Sequence, residues 1–379
     1  MKYAVLGATG LLGHHAARAI RAAGHDLVLI HRPSSQIQRL AYLEPECRVA
    51  EMLDHAGLER ALRGLDGVIF SAGYYPSRPR RWQEEVASAL GQTNPFYAAC
   101  LQARVPRILY VGSAYAMPRH PQGLPGHEGL FYDSLPSGKS SYVLCKWALD
   151  EQARVPRILY VGSAYAMPRH PQGLPGHEGL FYDSLPSGKS SYVLCKWALD
   201  EQAREQARNG LPVVIGIPGM VLGELDIGPT TGRVITAIGN GEMTHYVAGQ
   251  RNVIDAAEAG RGLLMALERG RIGERYLLTG HNLEMADLTR RIAELLGQPA
   301  PQPMSMAMAR ALATLGRLRY RVSGQLPLLD ETAIEVMAGG QFLDGRKARE
   351  ELGFFSTTAL DDTLLRAIDW FRDNGYFNA

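Results

Sequence analysis

The chain has 379 residues, which at about 150 residues per domain suggests two domains or one large α/β domain with an appendage. Its 40 basic and 38 acidic side chains leave a net charge of +2, which excludes the basic field on which non-specific nucleic-acid binding depends. Hydrophobic residues make up 46% and charged residues 21%, the balance of a packed globular protein rather than a disordered one.

In chain order, the first part alternates short apolar strands with helices. Strands are predicted at Tyr3–Leu6, Asp26–Ile30, Arg48–Ala50, Gly67–Phe70, Val105–Val111 and Leu211–Ile217. Helices are predicted at 11–23, 37–43, after an Asp54 cap, at 84–90, at 95–103 and from about 141. This alternation predicts an α/β fold with a doubly wound parallel sheet, the Rossmann arrangement.

Past about Val221 the rhythm changes to helices with a few strands between them. Helices are predicted at 256–268, 285–296, 304–315, 344–352 and 360–374. We therefore expect a dinucleotide-binding domain over residues 1–220 and a smaller, mostly helical substrate domain over 221–379, interleaved with the first.

Sequence features also indicate in which compartment the protein is expected. No apolar run approaches the roughly 18 residues that span a bilayer, and the strand-like run from Tyr3 leaves no room for a signal peptide. The four cysteines show no metal-binding spacing and are expected to be reduced thiols. We expect a cytoplasmic protein with no membrane span and no metal.

An exact internal repeat interrupts the first domain. Residues 102–154 are identical to residues 152–204, which makes 53 matching positions at an offset of 50. A solenoid needs about three copies or more, and its copies drift. The repeat is therefore a recent tandem duplication, an engineered insertion or an error in the recorded sequence, and removing one unit leaves 329 residues.

The first strand is followed by a glycine-rich turn and then by a helix. Gly7, Gly10 and Gly13 allow a tight turn and a close approach of the backbone to a pyrophosphate, which the free N–H groups of the helix N-terminus then bind. We expect the cofactor to contact the whole turn, namely Gly7, Thr9, Gly10, Leu11, Leu12 and Gly13.

The end of the second strand distinguishes the two nicotinamide cofactors. An acidic residue there would bond the ribose hydroxyls of NAD, whereas this chain has His31, Arg32 and Ser34. Arginine with nearby hydroxyls suits a 2′-phosphate, so NADP is predicted in preference to NAD. Met52 and Leu53 are expected near the adenine, while Asp54 either lies there or only caps the next helix.

A tyrosine and a lysine lie four positions apart in each copy of the repeat. They are Tyr142 and Lys146 in the first copy, and Tyr192 and Lys196 in the second. An ammonium one helical turn away favours the phenolate, which then exchanges a proton with a substrate oxygen. A serine after the fifth strand, Ser113 or its copy Ser163, would orient that oxygen.

Taken in order, these motifs resemble the extended short-chain dehydrogenase/reductase family, the NAD(P)-dependent epimerase/dehydratase group. The resemblance also includes Phe70-Ser-Ala72-Gly73, Asn94, Pro218-Gly219, Asn252-Val-Ile-Asp255, Lys347–Gly353 and Trp370. It implies a hydride-transfer enzyme in which tyrosine is the acid/base, lysine binds the nicotinamide ribose and serine positions the substrate. It also implies cofactor contacts from Ala72, Gly73 and Pro218.

One departure from the family concerns the substrate. Nucleotide-sugar epimerases of this group often carry an asparagine after the sixth strand, where this chain has Pro218-Gly219. That difference and the apolar stretch 304–315 are more similar to dihydroflavonol-reductase-like and hydroxysteroid-dehydrogenase-like members, and favour an apolar substrate. For the stretch 304–315 by itself, ordinary core packing is the preferred interpretation. Arg78, Arg80 and Arg81 either meet an anionic substrate or lie in a solvated loop.

The repeat leaves open which copy works. A doubly wound sheet is expected to have one place for the fifth strand and one for the next helix. Copy one, copy two or a hybrid of Ser113 with Tyr192 and Lys196 can fill them, with a surplus unit and its apolar strand extruded. We lean to copy one because it follows the preceding helix during synthesis, and we expect the surplus to lower solubility.

The sequence therefore predicts an NADP-dependent oxidoreductase that acts on a carbonyl or secondary alcohol. A nucleotide-sugar epimerase or dehydratase is the alternative enzyme, and a non-catalytic dinucleotide sensor is the alternative from another class. A small-molecule substrate and a homodimer are expected.

Overall fold

The computed structural model describes residues 1–72, 82–110, 126–127, 159–160, 176–177, 191–208, 212, 214–323, 334 and 340–378. Its strands are β1 Lys2–Leu6, β2 Asp26–His31, β3 Glu46–Val49, β4 Gly67–Phe70, β5 Ile108–Tyr110, β6 Gly126–His127, β7 Leu159–Tyr160, β8 Gly176–His177, β9 Ile215–Pro218, β10 Met220–Leu222, β11 His245–Val247, β12 Gln250–Asp255, β13 Arg275–Leu278, β14 His281–Glu284 and β15 Gln302–Met304.

The helices of the described ranges agree in most cases with the predicted ones. They are α1 Leu11–Ala22, α2 His55–Leu62, α3 Trp82–Gln102, α4 Ser191–Arg208, α5 Arg233–Gly239, α6 Ala256–Arg269, α7 Met285–Leu296, α8 Met306–Ser323 and α9 Leu360–Asp373. A 3₁₀ helix covers Ile37–Leu43 and a π-helical turn covers Ala348–Leu352.

Eight of the described strands form one parallel sheet in the order β13-β9-β7-β5-β4-β1-β2-β3. One face is covered by α2, α3 and α4, and the other by α1 and α6, each over its own hydrophobic core. The predicted doubly wound α/β fold is confirmed. Although both come after residue 221, β13 is a strand of this large sheet and α6 covers one of its faces, so the chain returns to the first layered unit after leaving it.

The later part of the chain builds two smaller sheets, β10-β12-β14 and β11-β15. A third core joins α5, α7 and α9, with Leu288, Ile292, Leu364, Ile368 and Phe371 at its centre. The division into two domains at residue 220 stays a prediction.

Helix α3 is continuous, whereas the sequence predicted two helices separated near Pro95. Proline removes one helical hydrogen bond and is expected to break a helix. Here the residues on both sides of it are buried in the same core: Ala89 and Leu90 before it, and Phe96 after it. Phe96 stacks on Phe70 of β4 with ring centroids 4.4 Å apart. Packing against the sheet therefore outweighs the local cost of the proline.

Both copies of the repeated strand lie in the sheet. Strand β7 pairs in parallel with its own copy β5, with Leu109 opposite Leu159 and Tyr110 opposite Tyr160. The expectation of a single place for this strand was wrong, and the second strand is not extruded. Because a strand carries hydrogen-bonding groups along both edges, an extra parallel strand beside β5 satisfies groups that extrusion would leave unpaired.

The two copies contribute different elements to the layers of the fold. Copy one supplies β5 beside β4, where the Val68 N–H donates to the Arg107 carbonyl over 2.8 Å. Copy two supplies α4 beside α3, where the Gln202 amide donates to the Asn94 side-chain oxygen over 2.6 Å. Among the described residues, copy one thus supplies β5 and copy two supplies β7 and α4, and which copy provides the acting serine, tyrosine and lysine stays a prediction.

Candidate functional site

The glycine turn lies between β1 and α1, at the carboxyl edge of the sheet. Gly7 has φ +84°, a conformation that side chains rarely adopt. A Cβ on Gly7 would lie 2.7 Å from the backbone nitrogen of Ala72, and a Cβ on Gly13 would lie 2.3 Å from the Gly7 carbonyl oxygen. Both positions therefore require glycine for close backbone packing.

Gly10 is different, because the direction in which a side chain would point from it is open. A Cβ there would meet only the Gly7 carbonyl oxygen, at 3.5 Å. Gly10 and Thr9 are exposed, and Leu11 and Leu12 are half-buried. Since Gly10 has no side chain to cap α1, the first N–H groups of the helix are available to an anion above the turn.

These features fit a dinucleotide pyrophosphate. The turn has room above Gly10, tight backbone packing below it and a positive helix end beside it. Ala72, two residues after β4, lies against Gly7 at the same edge of the sheet, and its predicted contact with the cofactor stays a prediction. Gly73 and the three arginines Arg78, Arg80 and Arg81 lie outside the described residues.

The end of β2 carries the residues predicted to select the cofactor. His31 is half-buried, with its Nδ1 2.9 Å from the Arg32 carbonyl oxygen, and Arg32 and Ser34 are exposed. A turn follows in which the Ser35 N–H donates to the Arg32 carbonyl over 3.0 Å. Because β1 and β2 run parallel, this turn lies at the same edge as the glycine turn.

Residues 52–54 follow β3 at that edge. Met52 packs against the core under α2, and Leu53 is 72% exposed. Asp54 caps α2, since its carboxylate accepts a hydrogen bond of 3.0 Å from the Gly57 N–H. Of the two readings left open for Asp54, the helix cap is the one confirmed.

At the end of β9, Pro218 is buried and Gly219 packs against Asn252. A Cβ on Gly219 would lie 2.4 Å from the Asn252 side-chain oxygen. Asn252 is itself fixed, because its oxygen accepts from the Gly280 N–H and its amide donates to Asn282. In the structure, Asn252 of β12 thus has a structural role, because it packs against Gly219 at the end of β9 and is held there by hydrogen bonds.

The predicted proton-transfer residues fall partly outside the described residues. Ser113, Tyr142, Lys146 and Ser163 lie outside them. The backbones of Tyr192 and Lys196 lie in the first two turns of α4, four positions apart. Helix α4 packs on α3, the position that the helix after the fifth strand takes in a doubly wound fold.

Two adjacent histidines after Gly13 were not singled out by the sequence reasoning. His14 and His15 are 1% and 2% exposed, and burial lowers the pKa of His14 to about 4. The Nε2 of His14 lies 2.8 Å from the Tyr42 hydroxyl, and the Nε2 of His15 lies 3.0 Å from the Glu224 carbonyl oxygen. The available signal was a pair of polar residues among the apolar and glycine residues that begin α1, before Arg18.

The stretch 304–315 combines two environments. Ala309 and Ala313 of α8 are buried, while Met308 and Leu312 are 46% and 43% exposed. The core reading therefore holds for one face of the helix only.

Within the described ranges, the helices fall short of the length and apolar character that crossing a bilayer takes. The same residues hold no group of three or more His, Cys, Asp or Glu side chains placed to bind a metal ion.

A family model matches most of the chain. The model of the NAD dependent epimerase/dehydratase family matches residues 3–155 and 138–278, and the two matches overlap inside the repeat.

Individual proteins are similar over different lengths. The sterol demethylase protein B of Methylococcus capsulatus is 23% identical over 98% of each chain. A putative dihydroflavonol 4-reductase of Synechocystis is 30% identical over 45% of this chain and 51% of its own. Among solved structures, a nucleoside-diphosphate-sugar epimerase from Pseudomonas aeruginosa is 79% identical, covering 100% of this chain and 99% of that one, with a TM-score of 0.77.

Proposed function

We propose that this chain, which belongs to the NAD-dependent epimerase/dehydratase family, catalyses NADP(H)-dependent hydride transfer on a carbonyl or secondary alcohol. Membership makes it an NAD(P)-dependent enzyme of the extended short-chain kind. The non-catalytic sensor considered from the sequence is therefore not retained. The preference for NADP and the substrate class are the proposal.

The cofactor preference is supported by the end of β2. Arg32 and Ser34 are exposed at the edge where the glycine turn lies, and residues 31–36 include no carboxylate. The nearby Asp54 is committed to its helix cap. A cationic guanidinium with a hydroxyl suits a 2′-phosphate, and an acid that would favour NAD is missing from this segment.

Proton transfer is assigned to the tyrosine–lysine pair of copy two. When bound, the nicotinamide supplies or accepts the hydride. Tyr192 donates or accepts the proton at the substrate oxygen, and Lys196, one turn along α4, holds the nicotinamide ribose and favours the phenolate. A serine of the repeat, Ser113 or Ser163, orients the substrate oxygen. Copy two is preferred because, within the described residues, its helix α4 packs on α3.

The end of β9 supports a reductase over an epimerase. Pro218 and Gly219 offer no amide side chain there, and Gly219 is closed off by Asn252. An epimerase is the second candidate, because a solved protein 79% identical to this chain is described as a nucleoside-diphosphate-sugar epimerase. A sterol or flavonoid-like apolar ketone fits the reductase proposal, as the names of the two curated relatives suggest.

The amount of NADPH consumed per turnover distinguishes a reductase from an epimerase. A reductase consumes one NADPH per turnover with a panel of apolar ketones, whereas an epimerase interconverts nucleotide sugars without net consumption. Net oxidation of NADPH with a ketone, and tighter binding of NADPH than of NADH, support the proposal. Interconversion of UDP-sugars at constant NADPH would replace it with the epimerase.

Two further expectations accompany this proposal. The enzyme acts as a homodimer in the cytoplasm. Sedimentation equilibrium at enzyme concentrations used for assay tests the first, and fractionation of cells tests the second.

A further inference from the structure

We propose that the contact between His14 and Tyr42 positions the segment that selects a 2′-phosphate, and so sets the preference for NADPH over NADH. This inference rests on the proposed use of NADP. It concerns two residues that the cofactor is not expected to touch, and it makes both of them positioning residues.

His14 is held in place at the start of α1, the helix that follows the glycine turn. It directly follows Gly13, and its N–H donates to the Gly10 carbonyl over 2.9 Å in the first turn of α1. Its side chain is 1% exposed, and its Nε2 lies 2.8 Å from the Tyr42 hydroxyl. The group that Tyr42 meets therefore moves with the glycine turn.

Tyr42 lies on the segment that the contact would position. The 3₁₀ helix Ile37–Leu43 begins two residues after the turn of Arg32 to Ser35. Leu40 and Leu43 bury one side of this helix in the core shared with α1. The His14 contact adds a directional bond to these apolar anchors, and it ties the 3₁₀ helix, which follows the turn after β2, to α1.

Core packing alone does not account for Tyr42. Its side chain is 61% exposed, so most of its ring adds little buried area, yet its hydroxyl reaches a buried imidazole. Phenylalanine would retain the ring packing and lose only this bond. Because burial keeps His14 neutral at neutral pH, the bond joins two neutral groups and persists through the working range.

The neighbouring histidine provides a matched comparison. His15 is equally buried beside it in α1, but its Nε2 lies 3.0 Å from the Glu224 carbonyl oxygen instead of the Tyr42 hydroxyl. Replacing His15 removes a buried imidazole from the same part of α1 and leaves the His14–Tyr42 bond itself in place.

The experiment measures equilibrium binding of NADPH and of NADH by nucleotide fluorescence. In Tyr42→Phe, the Kd for NADPH is expected to rise about fivefold, which corresponds to ~1 kcal/mol, while the Kd for NADH stays unchanged. Tyr376→Phe, which removes a hydroxyl bond to the Ile227 carbonyl far from the turn, is the control for loss of a hydroxyl.

Histidine variants separate positioning from loss of structure. His14→Gln keeps a polar group and is expected to retain more NADPH preference than His14→Ala, and His15→Gln is expected to retain all of it. A wild-type enzyme that prefers NADPH, with the same preference in Tyr42→Phe, overturns the positioning role alone. A wild-type enzyme that binds NADH at least as tightly overturns the cofactor proposal and this inference together.

Discussion

Gly10→Ala separates the fold of the glycine turn from its use as a phosphate site. Gly10 has φ −89° and ψ 161°, an extended conformation that alanine adopts freely. Its added Cβ would meet only the Gly7 carbonyl oxygen at 3.5 Å, which is ordinary contact. We therefore expect the free energy of unfolding to change by less than about 0.5 kcal/mol.

Cofactor binding should respond very differently. The new methyl group occupies the space above the turn, where the pyrophosphate would approach the first N–H groups of α1. Displacing the pyrophosphate weakens one or two charge-assisted hydrogen bonds, each worth about 1.5–3 kcal/mol. The Kd for NADPH should rise by about 10- to 100-fold.

The assay pairs urea unfolding with fluorescence titration of NADPH. Gly91→Ala is the matched control, because a Cβ on Gly91 of α3 meets nothing within 4 Å and alanine favours a helix. Gly13→Ala should lose stability as well as binding, since its Cβ would lie 2.3 Å from a backbone oxygen. Wild-type affinity in Gly10→Ala would refute the location of the phosphate.

Three further changes probe cofactor choice, stability and the repeat. Arg32→Asp should reverse the preference from NADPH to NADH in the same titration, and unchanged preference would show that Arg32 does not meet the phosphate. Glu258→Ala removes the acceptor for Ser356 and Thr357, so unfolding at neutral pH should cost about 3 kcal/mol less. Burial alone would raise the pKa of Glu258, but those hydrogen bonds hold this pKa below 4.5. The stability that the Glu258 carboxylate contributes is therefore present above pH 4.5 and is lost as the pH falls through the lowered pKa. Urea midpoints measured at neutral and at acid pH test this loss. Deleting one 50-residue unit shortens the connection from β5 to α4 from 80 to 30 residues, which lowers the entropy cost of closing this loop by about 1 kcal/mol. Calorimetry should then show a Tm higher by about 2–4 °C. A lower Tm would show that β7 stabilises the sheet.

Local sequence patterns were sufficient for the amino-terminal half of the sheet. Strand β1, the glycine turn and α1 follow directly from an apolar run, three glycines and helical spacing, because each choice is made within a few residues. The Asp54 cap is similar, since its partner Gly57 lies three positions away.

Long-range contacts account for what the sequence did not predict. Helix α3 continues through Pro95 because Phe96 packs on β4, a contact that periodicity does not contain. The His14–Tyr42 contact joins residues 28 positions apart. The repeat is the clearest case: identical segments have identical propensities, so only tertiary pairing assigns β5 to copy one and α4 to copy two.

The most direct test of the account compares NADPH oxidation, followed by nicotinamide absorbance with an apolar ketone, in the Tyr192→Phe and Tyr142→Phe variants. Both variants should bind NADPH as the wild type does. The account predicts that Tyr192→Phe loses turnover while Tyr142→Phe keeps it. Full turnover in Tyr192→Phe would contradict the claim that the phenol on α4 carries the proton for hydride transfer.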